Sequence, residues 1–507
     1  MKSGAKTFDF NTLLTWLNTL IACGIASLWW REQSNEYVDS RTLSLALALC
    51  LETYVALRLE RVRRDPFILL LAFSNILYYS LRIVTLTIYD YSIVFERYAY
   101  DARESNFALV FIIIANLFLY GGLLLARSRK DLRIDAAGRQ ANSPGAVLLL
   151  MVVTFALTYL GGRWGQDTPR AVAVLVVLLS PPIMVTMTLV YYFLFRRSLS
   201  RVFAAATAVL ILLEIVAHTL LGSRSALIGL VQSCILVAMA VSGRILLPRK
   251  TVLTGIALLP LGVVLLVGVF TISTFNRTAK DAGGYSLDIG RALQLAGDAS
   301  SQLSAAAPAL DLLIPPVAAR AGFFDFSAEI IAHRDKYASV LNPTTYAESI
   351  IDNILTPGFD VFDQPKISNS LLFLYRDWGL PSKEQVANAE VYQSDQLGIY
   401  GEFYGLFGYA CLPLLFLLTY GLKVLYMRVE SPDPFIFAMK RIIVLSLYAR
   451  TIDSFGIDWT LGEVLPLIAA TFFYRPFFRN RAPGAPAAIG AAPSLSVPLA
   501  PAKIQEN

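Results

Sequence analysis

Long apolar runs with few charges are the feature that most constrains this chain. Twelve runs approach or exceed the ~20 residues that a helix needs to cross a bilayer. They cover residues 11–30, 42–58, 66–88, 107–126, 145–162, 171–195, 202–222, 225–242, 251–275, 404–427, 435–452 and 461–474. Charged residues make up only 16% of the chain, against about 25% in soluble proteins. The pattern predicts an all-α polytopic membrane protein with about 12 transmembrane helices.

The connections between these runs alternate in charge. Lys and Arg gather in every second connection, at residues 58–64, 127–133, 196–201 and 243–250. The connections between them are neutral or acidic, at residues 31–41, 89–106 and 163–170. Basic connections stay on the cytoplasmic side of most membranes. The alternation therefore predicts that both termini are cytoplasmic.

One long segment interrupts the apolar pattern between the ninth and tenth runs. Residues 276–403 resemble soluble sequence and carry 9 Lys or Arg against 16 Asp or Glu. Charge alternation puts this acidic insert on the external side. The predicted domains are nine transmembrane helices in 1–275, a mainly helical external lid in 276–403, three further helices in 404–480, and a disordered Pro/Ala-rich cytoplasmic tail in 481–507.

Composition argues against several kinds of site. All four cysteines lie inside apolar runs, so neither a disulfide framework nor a cysteine metal cluster is predicted. His218 and His333 are the only histidines, too few for a multi-histidine metal site. The cytoplasmic side has no Gly-rich phosphate loop, which argues against an ATP-driven machine. We therefore expect no metal and no cofactor.

The tight turn at residues 222–225, with the sequence GSRS, places Arg224 at the external edge of the membrane. A guanidinium forks onto phosphate oxygens, so Arg224 is a candidate anion ligand. An arginine that merely anchors a helix end is the alternative. Glu214 and His218 precede it on the seventh span, four residues apart and hence on one face. This pair either lines the same cavity or packs the bundle.

The insert and the neighbouring membrane edge supply further candidate anion ligands, which are Arg277, Arg320, Arg334, Arg376 and Arg450. Residues 320–337 are predicted to form one helix. On it Arg320 and Arg334 would lie about 21 Å apart at ~1.5 Å per residue, so one pyrophosphate could not contact both. Neighbouring aspartates give Arg334 and Arg450 an alternative role in salt bridges.

Two carboxylates near the end of the insert are candidate general bases. Asp395 and Glu402 lie in the segment YQSDQLGIYGEFYGLFG, residues 392–408. Seven residues make about two helical turns, so the two side chains could share a face. A carboxylate there could take a proton from an attacking hydroxyl. A helix N-cap is the alternative role for Asp395.

This arrangement resembles the bacterial O-antigen polymerase and O-antigen ligase superfamily. The resemblance rests on the twelve spans, the GSRS turn, the long external insert, and the return to the membrane with a Glu and an FG in residues 395–408. It implies an integral-membrane glycosyltransferase of the GT-C type, in the bacterial inner membrane with a periplasmic insert. The donor would be a glycan on undecaprenyl pyrophosphate, bound by external arginines, with neither a nucleotide sugar nor an obligatory metal.

The resemblance also implies the partners and leaves two branches to separate. Lipid-linked oligosaccharides and the bilayer are the expected partners, with a chain-length regulator and a flippase as candidate protein partners and no nucleic acid. The ligase branch resembles a pattern with a histidine just before the return helix, where this chain has Asp395. That departure favours a polysaccharide polymerase. The alternatives are an O-antigen ligase and a flippase of lipid-linked oligosaccharides.

Overall fold

The computed structural model describes residues 7–89, 100–126, 143–159, 181–196, 198–220, 224–243, 246–248, 323–339, 341–355, 362, 398–453 and 457–478. The helices of the first half are α1 (Phe10–Trp30), α2 (Ser40–Arg63), α3 (Pro66–Tyr89), α4 (Ala102–Leu125), α5 (Pro144–Tyr159), α6 (Pro181–Phe195), α7 (Arg201–Leu220) and α8 (Arg224–Ser242). Those of the second half are α9 (Phe323–Ala332), α10 (Arg334–Tyr337), α11 (Pro343–Leu355), α12 (Gly398–Phe407), α13 (Cys411–Arg428), α14 (Pro434–Asp453), α15 (Ile457–Phe473) and α16 (Arg475–Phe478).

These elements are those of a helical membrane protein, as the apolar runs predict. Five segments of the described chain are long and apolar enough to cross a membrane: Phe10–Trp30, Ser40–Arg61, Pro66–Tyr89, Ala102–Leu125 and Gly398–Arg428. Described helices coincide with eleven of the twelve predicted runs, and the run at 251–275 lies outside the described residues. The number of crossings stays a prediction, because the other helices do not meet the same length and hydropathy limits.

An aspartate caps each of the first four helices. Asp9, Asp39, Asp65 and Asp101 each precede a helix and accept a hydrogen bond from a backbone N–H of its first turn. Those N–H groups have no partner inside the helix, so an acceptor at this position fixes where the helix begins.

Asp39 also holds two helices together at one edge of the bundle. Its carboxylate accepts hydrogen bonds from Thr42 on α2 and from the Asn106 amide on α4. Burial alone would raise the pKa of the Asp39 carboxyl, but these hydrogen bonds outweigh it and hold the pKa below its usual value. The stabilisation is therefore present at neutral pH and is lost as the pH falls through that lowered pKa.

Helix α3 is the central element of the described bundle. Its apolar window is 72% buried, the highest share of the five candidate spans. A π-helical turn at Asn75–Ser80 interrupts it and adds one residue to the local turn. The turn directs Asn75 and Tyr79 into the interior, where both are fully buried.

Helices α4 and α13 pack with their backbones unusually close. A Cβ on Gly122 would overlap the Thr419 hydroxyl and the Phe416 carbonyl. The Thr419 hydroxyl lies 3.1 Å from the Leu119 carbonyl oxygen, to which it donates across the contact. Small residues that permit such an approach are the usual basis of helix association in membranes, where apolar burial gives little driving force.

A short strand pair ties the start of the chain to the segment after α8. Strands β1 (Thr7–Asp9) and β2 (Leu246–Pro248) pair antiparallel, with Phe8 opposite Leu247. Strand β1 directly precedes α1, and the start of α1 lies at the bundle edge where α2 ends, because Asn11 of α1 donates to the Leu57 carbonyl of α2 at 2.9 Å. The strand pair is the only sheet among the residues that the structure describes.

Gly122→Ala is expected to destabilise the protein by about 1–3 kcal/mol, because the added methyl group forces α4 and α13 apart. The measurement is the thermal unfolding midpoint of the full chain in detergent. Gly121→Ala is the matched control, since its Cβ would lie in ordinary contact 3.5 Å from the Phe416 ring. Equal midpoints for the two variants would show that the close approach does not support the fold.

Candidate functional site

A buried ion pair joins the insert to the transmembrane bundle. The Arg82 guanidinium on α3 binds the Asp325 carboxylate on α9 through two hydrogen bonds, Nε to Oδ1 at 3.0 Å and an NH2 group to Oδ2 at 2.7 Å. The side chains are 1% and 0% exposed. Such a forked, charge-assisted pair is strong and directional, and it stands where α3 and α9 cross.

Helix α9 runs from mid-height of the bundle to one edge. At its start the Phe323 ring packs on Tyr78 of the π-helical turn, with ring centroids 4.1 Å apart. Just beyond its end the His333 ring contacts Glu104 on the first turn of α4. Part of the insert that the sequence predicts as an external lid therefore lies within the bundle.

Helix α12 takes a parallel course beside α9. The Tyr400 hydroxyl contacts Asn116, and the Tyr404 ring packs on Phe111 with centroids 4.7 Å apart, so α12 runs antiparallel to α4. Asn116 lies about 18 Å along α4 from Glu104, at ~1.5 Å per residue. Helix α12 thus begins deep in the bundle, and the predicted domain boundary between residues 403 and 404 falls inside it.

The chain reverses between α12 and α13, so residues 398–428 form a hairpin rather than one long span. Gly408 stands at the reversal with φ of +57°, a conformation that other residues rarely adopt. Beyond it Lys423 donates to the Leu123 carbonyl and pairs with Asp65, both at the opposite edge of the bundle. Most of the predicted tenth span at 404–427 is therefore the descending half of a hairpin, and its first four residues belong to the ascending half, α12.

A glycine-lined seam holds α12 against α9. A Cβ on Gly401 would stand 2.9 Å from the Ser327 Cα, and one on Gly405 would meet the side chains of Leu341 and Ile330. The four-residue spacing places both glycines on one face of α12. The two helices can approach at this distance only because that face carries no side chains.

A polar cluster lies in the interior where α12 begins. The Asn75 amide donates to Asn116 at 3.1 Å and to the Tyr120 hydroxyl at 3.3 Å. The Tyr400 hydroxyl donates to the side-chain amide oxygen of Asn75 at 3.0 Å. Polar side chains inside a membrane bundle either hold helices together or line a path. This cluster connects α3, α4 and α12 and fixes the deep end of the hairpin.

Two carboxylates enclose the imidazole of His333 at the bundle edge. Its Nδ1 lies 2.8 Å from Glu329 and its Nε2 lies 3.2 Å from Glu104. Glu329 is fully buried and also accepts a hydrogen bond from the Tyr337 hydroxyl at 2.8 Å. The imidazole is 19% exposed. The cluster attaches the end of α9 to α4.

Glu402 is the candidate base that the structure describes. It is 2% exposed, on α12, and accepts a hydrogen bond from the Tyr346 hydroxyl of α11. Asp395 lies outside the described residues. The first described residue of α12 is Gly398, with φ of +69°. That Asp395 and Glu402 share a helix face stays a prediction.

Arg334 binds the backbone at the C-terminal end of α12. Its Nε donates to the carbonyls of Tyr404 and Gly405, both at 3.1 Å. A cation at these carbonyls stabilises the negative end of the helix. The predicted single helix over 320–337 is wrong within the described residues, because it breaks at His333 into α9 and α10. The straight-helix spacing of Arg320 and Arg334 does not apply.

The other predicted site residues are only partly described. Arg450 lies in the last turn of α14. Its positive charge and the negative charge of Asp453 both act on the Tyr78 hydroxyl, in opposite directions. Helix α8 begins at Arg224, and His218 lies on α7, where Glu214 is buried. The Arg224 and His218 side chains lie outside the described residues, as do three whole residues, Arg277, Arg320 and Arg376.

Sequence reasoning missed the residues that dock the insert. Arg82 stands inside the apolar run 66–88, and an ionisable residue in such a run marks a site by default. The sequence alone therefore marks Arg82 as a candidate site residue. It does not mark Glu104 or Asp325, since both resemble ordinary residues at the start of a helix. Among the described residues no group of three or more His, Cys, Asp or Glu side chains could hold a metal ion.

No protein-family model, curated protein or solved structure matches this chain.

Asp325→Leu is expected to cost about 3–5 kcal/mol of stability, because it leaves the Arg82 charge buried without its carboxylate. The double variant Arg82→Leu/Asp325→Leu should recover most of that loss, since no charge then remains unpaired. The measurement is the thermal midpoint of the full chain in detergent. Arg103→Leu, which removes an exposed charge at the same bundle edge, is the control. A double variant as unstable as Asp325→Leu would contradict the pairing.

Proposed function

We propose that this chain is a bacterial inner-membrane glycosyltransferase that polymerises polysaccharide repeat units. It would transfer a growing glycan from undecaprenyl pyrophosphate onto a lipid-linked repeat unit at the periplasmic face. The product would be an O-antigen, a capsule or an exopolysaccharide. In this proposal the chain has about 12 transmembrane helices, both termini are cytoplasmic and the insert is periplasmic.

The observation that carries the proposal is the docking of the insert into the bundle. A lid over a membrane-edge reaction needs a fixed attachment, and the buried Arg82–Asp325 pair supplies one. The helices that dock there bring Glu402, Glu329 and His333 toward one bundle edge. Two lipid-anchored substrates would react at such an edge, where orientation contributes much of the rate.

The proposed roles follow from charge and position. Glu402 or Asp395 acts as the general base that takes the proton of the acceptor hydroxyl. Arg224 and one insert arginine bind the donor pyrophosphate and stabilise the charge that develops as it departs. Arg277, Arg320, Arg376 and Arg450 are the arginines to test for this role.

Two described arginines have other roles in the proposal. Arg334 positions α12, since its Nε is hydrogen-bonded to backbone carbonyls there. Arg82 attaches the insert through Asp325. Neither is proposed as a pyrophosphate ligand. His218 stays a candidate to line the cavity.

An O-antigen ligase is the alternative within the same chemistry. In that branch the resemblance implies a histidine just before the return helix, where this chain has Asp395, and His333 is the insert's only histidine. Both ring nitrogens of His333 are occupied by carboxylates, Glu329 on one side and Glu104 on the other. This arrangement favours the polymerase.

The test is reconstitution of the purified chain in liposomes with lipid-linked repeat units as the only substrate. A polymerase yields a ladder of lengthening glycans from these units alone. A ligase yields no ladder, and when lipid A-core is added in a second reaction it joins a single unit to that acceptor. Movement of labelled lipid across the vesicle without any ladder would assign the chain to the flippases and overturn the proposal.

In the same assay Glu402→Gln is expected to lower the polymerisation rate about 10²- to 10⁴-fold, the usual contribution of a general base. Tyr346→Phe is the matched control, because it removes the hydroxyl that donates to Glu402 and keeps the carboxylate. If Glu402→Gln polymerises at the wild-type rate, Glu402 is not the base and Asp395 becomes the candidate. Asp395→Asn tests that alternative in the same assay.

A further inference from the structure

An arginine on the outer face of α2 points back into the span instead of toward its nearer end. The Arg58 Nε lies 2.8 Å from the Tyr54 hydroxyl, and one NH2 group contacts the same oxygen. The guanidinium carbon stands 4.9 Å from the centre of the Tyr54 ring. Tyr54 is one turn deeper, about 13 Å from the helix end at Arg63 at ~1.5 Å per residue.

The surroundings of Arg58 are those of a lipid-facing surface. Leu51, Val55 and Leu59 on the same side of α2 are 64%, 49% and 39% exposed. In a helix long and apolar enough to cross a membrane, such exposed side chains contact acyl chains. A long basic side chain in this position ordinarily extends to the interface, but the Tyr54 hydroxyl holds Arg58 short of it.

A second arginine is fixed on the same stripe. Tyr54, Arg58 and Arg61 follow one another at i, i+4 and i+7, so they share one face. Arg61 donates from Nε to Asn11 at 3.0 Å and from an NH2 group to Thr12 at 3.3 Å, both on α1. Two guanidinium groups are therefore held in place beside exposed apolar side chains.

Neither arginine forms an ion pair with a carboxylate that the structure describes. The charge of Arg61 acts on the Glu60 carboxyl without forming an ion pair with it. Glu60, the acidic residue nearest to both in sequence, is 6% exposed and accepts a hydrogen bond from the Asn11 amide. Within the described part of the chain, both guanidinium groups are therefore available to an anion at the exposed side of α2.

We propose that Tyr54, Arg58 and Arg61 bind the headgroup of an anionic phospholipid. The phosphodiester lies between the two guanidinium groups, which suit phosphate oxygens. One acyl chain lies along Leu51, Val55 and Leu59. The bound lipid thereby supplies the counter-charge that α2 lacks at this depth.

The test is a titration of the full chain in mixed micelles with phosphatidylglycerol or phosphatidylcholine, followed by the thermal unfolding midpoint. Phosphatidylglycerol is expected to raise the midpoint of the wild-type protein more than phosphatidylcholine. Arg58→Gln should weaken the apparent affinity for phosphatidylglycerol about fivefold, the effect of one arginine near an anionic surface. Tyr54→Phe, which keeps every charge, should weaken it in the same direction by releasing the guanidinium.

Arg41→Gln is the matched control, because it removes an exposed arginine from the other end of the same helix. It should leave the affinity for phosphatidylglycerol unchanged. An equal effect of the two lipids would overturn the proposal, as would equal losses in Arg58→Gln and Arg41→Gln. Stabilisation by inorganic phosphate alone to the same extent would overturn the lipid as the source of the anion.

Discussion

Two opposite charges that must be paired inside an apolar bundle govern how this protein is assembled. Arg82 and Asp325 are both removed from solvent, and each would destabilise the fold strongly without the other. Their pairing fixes where α9 crosses α3. The fully buried Glu329 lies one turn further along α9 and comes to the bundle edge with it. The position of α9 thus depends on this buried pair, together with the contact of His333 with Glu104 at the bundle edge and the packing around both.

The glycines of α12 allow this helix to pack closely against α9. Only a helix with glycine on the facing side can approach α9 as closely as α12 does at Gly401. The chain reverses at Gly408, and α13 returns it to the far edge of the bundle. Arg334 caps α12, the helix that ends at the reversal. Glu402 owes its buried position to this sequence of constraints rather than to its own hydrogen bond with Tyr346.

The membrane class and most helix positions could be predicted from the sequence, because long apolar runs indicate membrane helices directly. The sequence-based prediction misplaced α9 and α12 because Asp325, Glu329 and Glu402 lower the hydropathy of segments that are otherwise apolar and aromatic. The partners of the first two lie on other helices or around a bend, so no local pattern reveals that their charges are matched. The spacing of the glycines on α12 can be read from the sequence, but the sequence does not show which helix packs against them. Arg82 could have been singled out from its apolar surroundings alone.

The sequence separation of the buried pair has a consequence for synthesis. Arg82 and Asp325 are 243 residues apart, so at ~5–20 residues per second about 10–50 seconds pass between their translation. Throughout that interval α3 has a positive charge inside its apolar stretch, and Asp325 is not yet available to pair with it. Arg82 must therefore be hydrated, or in contact with the insertion machinery, until α9 has been synthesised. The buried pair thus forms late, once most of the apolar segments before it have been made.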